Sequence, residues 1–343
     1  MTGVPYHDEN TGNQELRQSL LARIRAVNRE TFSELALDVF RYQARYNSTY
    51  ARYLDLLRRD AASVTVATDI PHLPISLFKT HDLRAGADWQ PTRTFTSSGT
   101  TGAATSHHPL RAEAWYRQNA RRAFELQYGS LRNRAVLALL PAYLERTGSS
   151  LVFMADDFIR ESGREESGFF LDDLAGLSAR LQSLKNDTLP PLLIGVSFAL
   201  LDLAEQFSQD LGHTIIMETG GMKGRRKELT RAELHGTLGE AFAAAHIHSE
   251  YGMTELLSQA YAPRAGIFYP APTMSVTTRD VTDPFTTLAP GRAGAINITD
   301  LANLDTISFI ATDDLGRVGE DGTFEVLGRL DASDVRGCNL LVL

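Results

Sequence analysis

Thr94-Phe-Thr-Ser-Ser-Gly-Thr-Thr-Gly102 places six hydroxyl side chains and two glycines within nine residues. Such a stretch cannot build a core, because hydroxyls bury poorly and glycines have nothing to pack. It can wrap an anion. Glycine lets the backbone come close and take positive φ, so the N–H groups and hydroxyls of Ser97, Ser98, Gly99, Thr100, Thr101 and Gly102 can converge on phosphate oxygens. No Gly-Lys-Ser/Thr ending follows, which separates the stretch from the Walker-type loop of P-loop nucleotidases. Composition alone leaves a flexible Ser/Thr/Gly linker open as the other reading.

Five further groups carry chemistry. Ser249-Glu-Tyr-Gly-Met-Thr-Glu255 follows an apolar strand-like run. It therefore sits where open α/β sheets bind ligands, with Tyr251, Gly252, Thr254 and Glu255 at a sheet edge. A carboxylate beside phosphate-binding hydroxyls suits Mg²⁺, which takes oxygen ligands; the plainer role for Glu255 is a charge at a helix N-terminus. Glu218-Thr-Gly-Gly-Met-Lys-Gly224 also follows a strand, and the bare backbone of Gly220 and Gly221 would let a flat ring lie against it. Lys223 offers charge to a phosphate, or belongs with Arg225, Arg226 and Lys227 to a solvated basic face. Thr312-Asp-Asp-Leu-Gly316 sets Asp314 at a turn suited to hydrogen bonding a ribose diol, and Gly328-Arg-Leu-Asp331 adds Arg329; both are also ordinary turn compositions. Cys338 is the single cysteine, and a lone cysteine is by itself most simply a small buried hydrophobe.

The elements that must position these groups can be read from periodicity. Residues 14–60 are expected to be helical: Leu16, Leu20, Ile24 and Val27 recur at helical spacing, and Thr31-Phe-Ser-Glu34 has capping-box form. The tyrosines at 46, 50 and 53 are expected in the core. Prolines at 71, 74, 91 and 109 punctuate a loop-rich segment around the hydroxyl stretch. Strands at 135–140, 192–196, 214–217 and 245–248 then alternate with helices at 111–127, 171–185, 198–210 and 228–244, the pattern of an α/β sheet covered by helices. From Ile267 the sequence is Thr/Val/Ile-rich with turn signals at Asp283-Pro284, Pro290-Gly291 and Asp321-Gly322, a β-rich region resembling a distorted barrel. The expected division is a helical segment at 1–65, an α/β core at 66–265 and a β-rich part at 266–343 that ends in the cysteine segment.

Bulk properties exclude several classes. Thirty-four Lys plus Arg against 42 Asp plus Glu give a net charge of −8, which argues against nucleic acid or an anionic membrane as the main partner. One cysteine excludes an internal disulfide or a multi-cysteine metal site and fits a reducing cytoplasm. The polar first residues lack a signal-peptide apolar core, and no run approaches the ~18 apolar residues of a membrane span. A cytoplasmic protein is expected.

The order of the motifs (hydroxyl/glycine loop, Gly-Gly cluster, Tyr-Gly-Met-Thr-Glu, Asp-Asp-Leu-Gly, Gly-Arg-x-Asp) resembles the adenylate-forming superfamily of acyl-CoA synthetases and their relatives. Within it, Ile70-Pro-His-Leu-Pro-Ile-Ser-Leu-Phe-Lys79, Leu140-Pro-Ala-Tyr-Leu-Glu-Arg-Thr-Gly-Ser-Ser-Leu-Val152, Glu218-Thr-Gly-Gly-Met-Lys-Gly-Arg225 and Arg336-Gly-Cys-Asn-Leu-Leu-Val342 resemble the acyl-protein synthetase (LuxE-type) family, from about residue 30 to the end. The resemblance implies the large-domain fold of that superfamily, with ATP and Mg²⁺ as cofactors. It implies conversion of a carboxylic acid, a fatty acid in the closer family, to acyl-AMP, passage of the acyl group to Cys338 as a thioester, and hand-off to an acyl-protein reductase. It places the triphosphate against Ser97, Ser98, Thr100 and Thr101, and adenine between Tyr251 and Gly220-Gly221. Phosphate and Mg²⁺ fall to Thr254 and Glu255, the ribose to Asp314, and ribose or phosphate to Arg329.

Two departures stand out. The lysine that often follows the phosphate loop is replaced by Thr105-Ser-His-His108. The sequence also ends about where acyl-CoA synthetases begin a mobile C-terminal domain with a catalytic lysine; Lys223 and Arg336 are the alternatives on charge alone. Two other functions stay open: a ligase that delivers the acyl group to coenzyme A or a carrier protein, as in the phenylacetate-CoA ligase branch, and a non-catalytic nucleotide- or acyl-binding subunit.

Overall fold

Three helices come first: α1 (His7–Ala26), α2 (Phe32–Tyr46) and α3 (Ser48–Leu56). The structure is a computed structural model that describes residues 7–86, 89–97, 104–141, 148–220 and 229–330, with side chains from residue 12 onward. Leu20, Ile24 and Val27 are buried at their helical spacing, while Leu16 is exposed. The capping box expected at Thr31 does not form. Asn28 turns the chain instead, its Oδ1 accepting from the Glu30 and Thr31 amides, and the Thr31 side chain makes no cap bond to α2. Asn47 caps α3 by accepting from the Tyr50 amide, and its Nδ2 donates to the carbonyls of Leu83 and Thr306.

Beyond a short strand β1 (Leu73–Pro74) come the strands β2 (Arg93–Thr96) and β3 (His107–Leu110). An α/β stretch follows: α4 (Glu113–Tyr128), β4 (Val136–Leu139), α5 (Ser150–Ser162), β5 (Gly168–Phe169), α6 (Leu174–Ser183), β6 (Leu192–Gly195), α7 (Ser197–Gln206), β7 (Ile215–Glu218), α8 (Arg231–Phe242) and β8 (His248–Tyr251). The strands pair in parallel in the order β5-β4-β6-β7-β8, and antiparallel β9 (Ala260–Ala262) and β10 (Tyr269–Pro270) complete a seven-stranded sheet. β4 and β6 are buried along their whole length, as a parallel sheet covered on both faces requires. A capping box does occur at α8, where Thr230 and Glu233 exchange bonds.

Two expectations shift. The strand expected at 245–248 lies three residues later, so Tyr251 ends the strand rather than following it. Helix α5 was not expected, because Asp157 interrupts its apolar pattern; that carboxylate is buried and holds Arg117 and Arg121 of α4.

The β-rich part consists of β11 (Met274–Arg279), β12 (Ala293–Asp300), β13 (Phe309–Val318) and β14 (Phe324–Arg329). Together with β1 they form a five-stranded sheet in which one edge of β13 is shared by β1 and β14. The N-terminal helices pack on this sheet. Tyr50 stacks on Phe309 with ring centroids 6.2 Å apart, Phe40 meets Phe309 edge-on at 5.9 Å, and Gln43 exchanges hydrogen bonds with Ser308.

The two large sheets are joined at Asp300, the last residue of β12. Its Oδ2 accepts from the amides of Leu257 (2.8 Å) and Ser258 (2.9 Å), and its Oδ1 accepts from the Ser258 hydroxyl (2.6 Å) and the Ala302 amide (3.0 Å). Burial pushes the carboxyl up to about 6 in spite of these donors. Asp300→Asn sets an amide NH₂ against backbone N–H donors, and urea unfolding should show a loss of roughly 2–4 kcal/mol. An unchanged unfolding midpoint would show that this junction does not hold the sheets together.

Candidate active site at the sheet edge

The hydroxyl-rich stretch leaves from the end of a β-hairpin. β2 and β3 pair antiparallel, with Phe95 opposite His108 and Thr96 opposite His107. One rung further, Ser97 N donates to Ser106 O at 3.2 Å and the Ser106 amide donates to Ser97 Oγ at 2.8 Å. Pro109 lies inside β3, which a two-stranded ribbon tolerates because its outer edge needs no donor. This is why a proline-punctuated loop was expected where a hairpin forms. Gly148 clamps the stem: its carbonyl accepts from Thr96 N, its φ is +110°, and a Cβ would lie 2.6 Å from Thr96 Oγ1. Ser97 thus stands at the hairpin's mouth. Ser98, Gly99, Thr100, Thr101 and Gly102 lie outside the described residues.

Across from the hairpin, β8 meets the second sheet. The Tyr251 hydroxyl donates to Asp314 Oδ2 at 2.7 Å, and Arg329 Nε stands 3.6 Å from Asp314 Oδ1. Asp314 and Arg329 are register partners on β13 and β14. The Tyr251 ring is held edge-on by Phe268 and Phe324, at 5.8 and 5.4 Å between centroids. Burial raises both the Tyr251 hydroxyl and the Asp314 carboxyl; the shared hydrogen bond and Arg329 partly oppose the rise at Asp314. The three residues assigned to adenine and ribose are therefore already joined. One carboxylate oxygen is committed to Tyr251, and the other faces a well-exposed guanidinium.

Gly252 is exposed, and a Cβ there would collide with Glu250 Oε1. Past it the chain turns so that the Thr254 carbonyl accepts from His108 Nδ1 at 2.9 Å, while His108 Nε2 meets the Thr306 hydroxyl at 2.9 Å. A carbonyl can only accept, so Nδ1 carries the proton and Thr306 donates to Nε2. Burial lowers His108 to about 4, keeping it neutral. Glu255 is buried, which raises its carboxyl. The Ser106 hydroxyl and the charges of Lys79 and Arg329 oppose that rise. Glu255 thus lies between the hairpin and the Asp314–Arg329 pair.

Glu218, at the end of β7, organises the glycine cluster. Its buried carboxylate accepts from the Gly220 amide (2.6 Å) and the Ser197 hydroxyl (3.3 Å), with Arg231 at 3.7 Å and His235 at 3.6 Å. Burial opposes its ionisation, yet these donors hold it below the usual carboxylate range. Gly220 takes φ +73°, open to glycine at no steric cost. Gly221, Lys223, Arg336 and Cys338 lie outside the described residues.

Three residues near this edge carried no site assignment from sequence. Lys79 and Ser106 reach Glu255 through space, and in the sequence Ser106 and His108 stand only in the segment that replaces a lysine. Their one signal was proximity to motifs. For Mg²⁺, no group of three or more His, Cys, Asp or Glu side chains lies together among the described residues. Glu255, with the Ser106 hydroxyl beside it, is a carboxylate that could serve such an ion as a ligand.

No protein-family model matches the chain, and no curated protein matches it. Solved structures do. The 2-hydroxyisobutyryl-CoA ligase in complex with 2-HIB-AMP and CoA, in its thioesterification state, aligns with TM-score 0.62 at 13% identity, over 93% of this chain and 69% of that one. ATP-bound MatB from Rhodopseudomonas palustris aligns with TM-score 0.52 at 19% identity, over 69% of this chain and 47% of that one. An ATP-bound RpMatB-BxBclM chimera gives 0.52 at 21% over the same shares. The matched region spans about half the length of the MatB structures. At these identities the likeness establishes the fold alone, an α/β body shared with these ligase structures.

The neutral imidazoles make the fold acid-sensitive. His72, His108 and His248 are lowered from 6.5 to about 4. The stability each contributes is present above the unfolded value of 6.5 and lost as pH falls toward 4. Asp300, raised to about 6, and Glu250, raised to about 8, work in the opposite direction but are outweighed by the three imidazoles. Urea unfolding at pH 7 and pH 4.5 should show a net loss on acidification, and His108→Gln should remove roughly 2–3 kcal/mol of that pH-dependence.

Proposed function

We propose that the chain is an ATP-dependent, AMP-forming enzyme that activates a carboxylic acid. The observation that carries this reading is the meeting of Ser97, Glu255 and the Tyr251–Asp314–Arg329 group at one sheet edge of an adenylating fold. Asp314 would exchange part of its hydrogen bonding for the ribose diol, Tyr251 and the Gly220 backbone would flank adenine, and the hydroxyl-rich hairpin tip would cradle the triphosphate. Thr254 and Glu255 would hold phosphate and one Mg²⁺ ion, which when bound supplies charge neutralisation on the phosphates.

Chemistry then needs alignment more than covalent participation. A carboxylate oxygen of the acid attacks the α-phosphorus, the bond to the bridging oxygen of the β-phosphate breaks, and pyrophosphate leaves with its electron pair. The chain's task is to hold acid and α-phosphate in line and to exclude water, with Arg329 and Lys79 facing the negative charge. Lys223 and Arg336 are further candidates for contact with the α-phosphate.

The acid is read as a fatty acid and the acceptor as Cys338. Its thiolate, favoured by the neighbouring Arg336, would attack the acyl carbon, release AMP and hold the acyl group for an acyl-protein reductase. The thioesterification state of the 2-hydroxyisobutyryl-CoA ligase supports a second reading, with coenzyme A or a carrier thiol as acceptor.

Pyrophosphate exchange into ATP that depends on an added carboxylic acid tests the first step, and its absence with aliphatic and aromatic acids alike would sink the proposal. Glu255→Gln should lower exchange about a hundredfold. Cys338→Ser should keep exchange but lose hydroxylamine-sensitive labelling by radioactive acid. Undiminished labelling, or transfer to added coenzyme A alone, moves the acceptor off the chain.

A further inference from the structure

Polar groups without partners gather on the face of β8 opposite Tyr251. Glu250 is half-buried there, and among the described residues no group hydrogen-bonds its carboxyl. Its cross-strand partner is Tyr261, 2% exposed, whose hydroxyl has no partner among the described residues. Gln259 is 3% exposed; its amide nitrogen reaches the Tyr116 hydroxyl at 3.4 Å, whereas its Oε1 has no partner among the described residues. The three converge: Glu250 Oε1 and Gln259 Cγ both crowd the space beside Gly252, and the charge of Glu250 is felt at Tyr116 and Tyr261. Buried polar groups are normally satisfied, so an acceptor, a hydroxyl and a carboxyl lying together without described partners mark a place suited to a polar group.

The location says which ligand. Tyr116 packs on Phe95 with centroids 4.9 Å apart, and Phe95 lies in the hairpin stem two residues before Ser97. Glu250 directly precedes Tyr251. The niche thus lies between the Tyr251 end of β8 and the hairpin stem; on the adenylation reading the base takes the Tyr251 face and the phosphates the hairpin tip, which leaves this face to the acid. Its chemistry suits a donor and disfavours an anion: Gln259 Oε1 can only accept, no described Lys or Arg pairs with Glu250, and burial beside the Glu218 carboxylate raises the Glu250 carboxyl.

We infer that this niche receives a hydrogen-bond-donating substituent, a hydroxyl or an ammonium, on the acyl part of the acid, so that Glu250, Gln259 and Tyr261 select a hydroxy- or amino-substituted carboxylic acid. The inference rests on the adenylation reading above and narrows its acid.

Acid-dependent pyrophosphate exchange, run on unsubstituted, hydroxyl-, amino- and carboxyl-terminated acids of matched short, medium and long chains, tests it. Wild type should favour a hydroxyl- or amino-bearing acid over its unsubstituted counterpart by ~10-fold or more in kcat/KM, and should reject the dicarboxylic acid. The hydroxyl and amino arms identify which donor is read. Glu250→Gln and Gln259→Leu should each reduce the preference, with the KM for ATP unchanged. Exchange with unsubstituted acids and no preference in wild type overturns the inference while leaving adenylation standing. Exchange with no acid at all overturns both. The wild-type comparison needs no variant and so does not depend on how the substitutions fold.

Discussion

A single buried carboxylate, Asp300, fixes where the site can be. It accepts from two consecutive backbone amides of the segment after Glu255 and from the Ser258 hydroxyl, and thereby ties the turn beyond β8 to the end of β12. Asn303 continues the attachment by donating to the Glu255 carbonyl at 2.8 Å. The Thr306 hydroxyl supports the imidazole that grips Thr254. The segment that carries Thr254 and Glu255 is thus held at four backbone positions, 254, 255, 257 and 258, by His108 of the hairpin and by Asp300 and Asn303 at the end of β12. Such a segment keeps its geometry without a ligand, the preorganisation that an electrostatic site needs.

The same junction explains why Tyr251 and Asp314 are within reach of each other. They come from different sheets and are joined by a 2.7 Å bond between a buried phenol and a largely buried carboxyl. Arg329 balances the carboxyl from the neighbouring strand. Burial costs the charged form, and the hydrogen bond with the nearby cation offsets that cost, so the pair is stable in the absence of nucleotide yet still has one carboxylate oxygen facing an exposed cation. Glu218 is built on the same plan: an ionised buried carboxylate surrounded by donors, one of them the backbone amide of Gly220.

Much of this was legible in the sequence, and the failures have physical causes. The parallel strands at 136–139, 192–195 and 215–218 were plain, because strands buried on both faces are continuous apolar runs. Helix α5 was hidden by the buried Asp157, whose arginine partners come from another helix. The hairpin around the hydroxyl stretch was obscured by Pro109, which an edge strand can accept. His108 could not be assigned because its role depends on contacts 146 and 198 residues away. Tyr251, Asp314 and Arg329 were named from their motifs; that they bond to one another follows from strand pairing, which local pattern does not encode.

The seating of the N-terminal helices on β13 has a consequence for how the chain is made. Gln43 finds its partner 265 residues later, at Ser308, and Arg17 finds Asp305 288 residues later. During synthesis the helices emerge with their apolar faces and a buried-type glutamine uncovered, and must wait for nearly the whole chain before these groups are satisfied. Contacts of such sequence separation form slowly and leave apolar surface open to misassociation in the interval. Helices made before either large sheet are therefore among the last elements to dock.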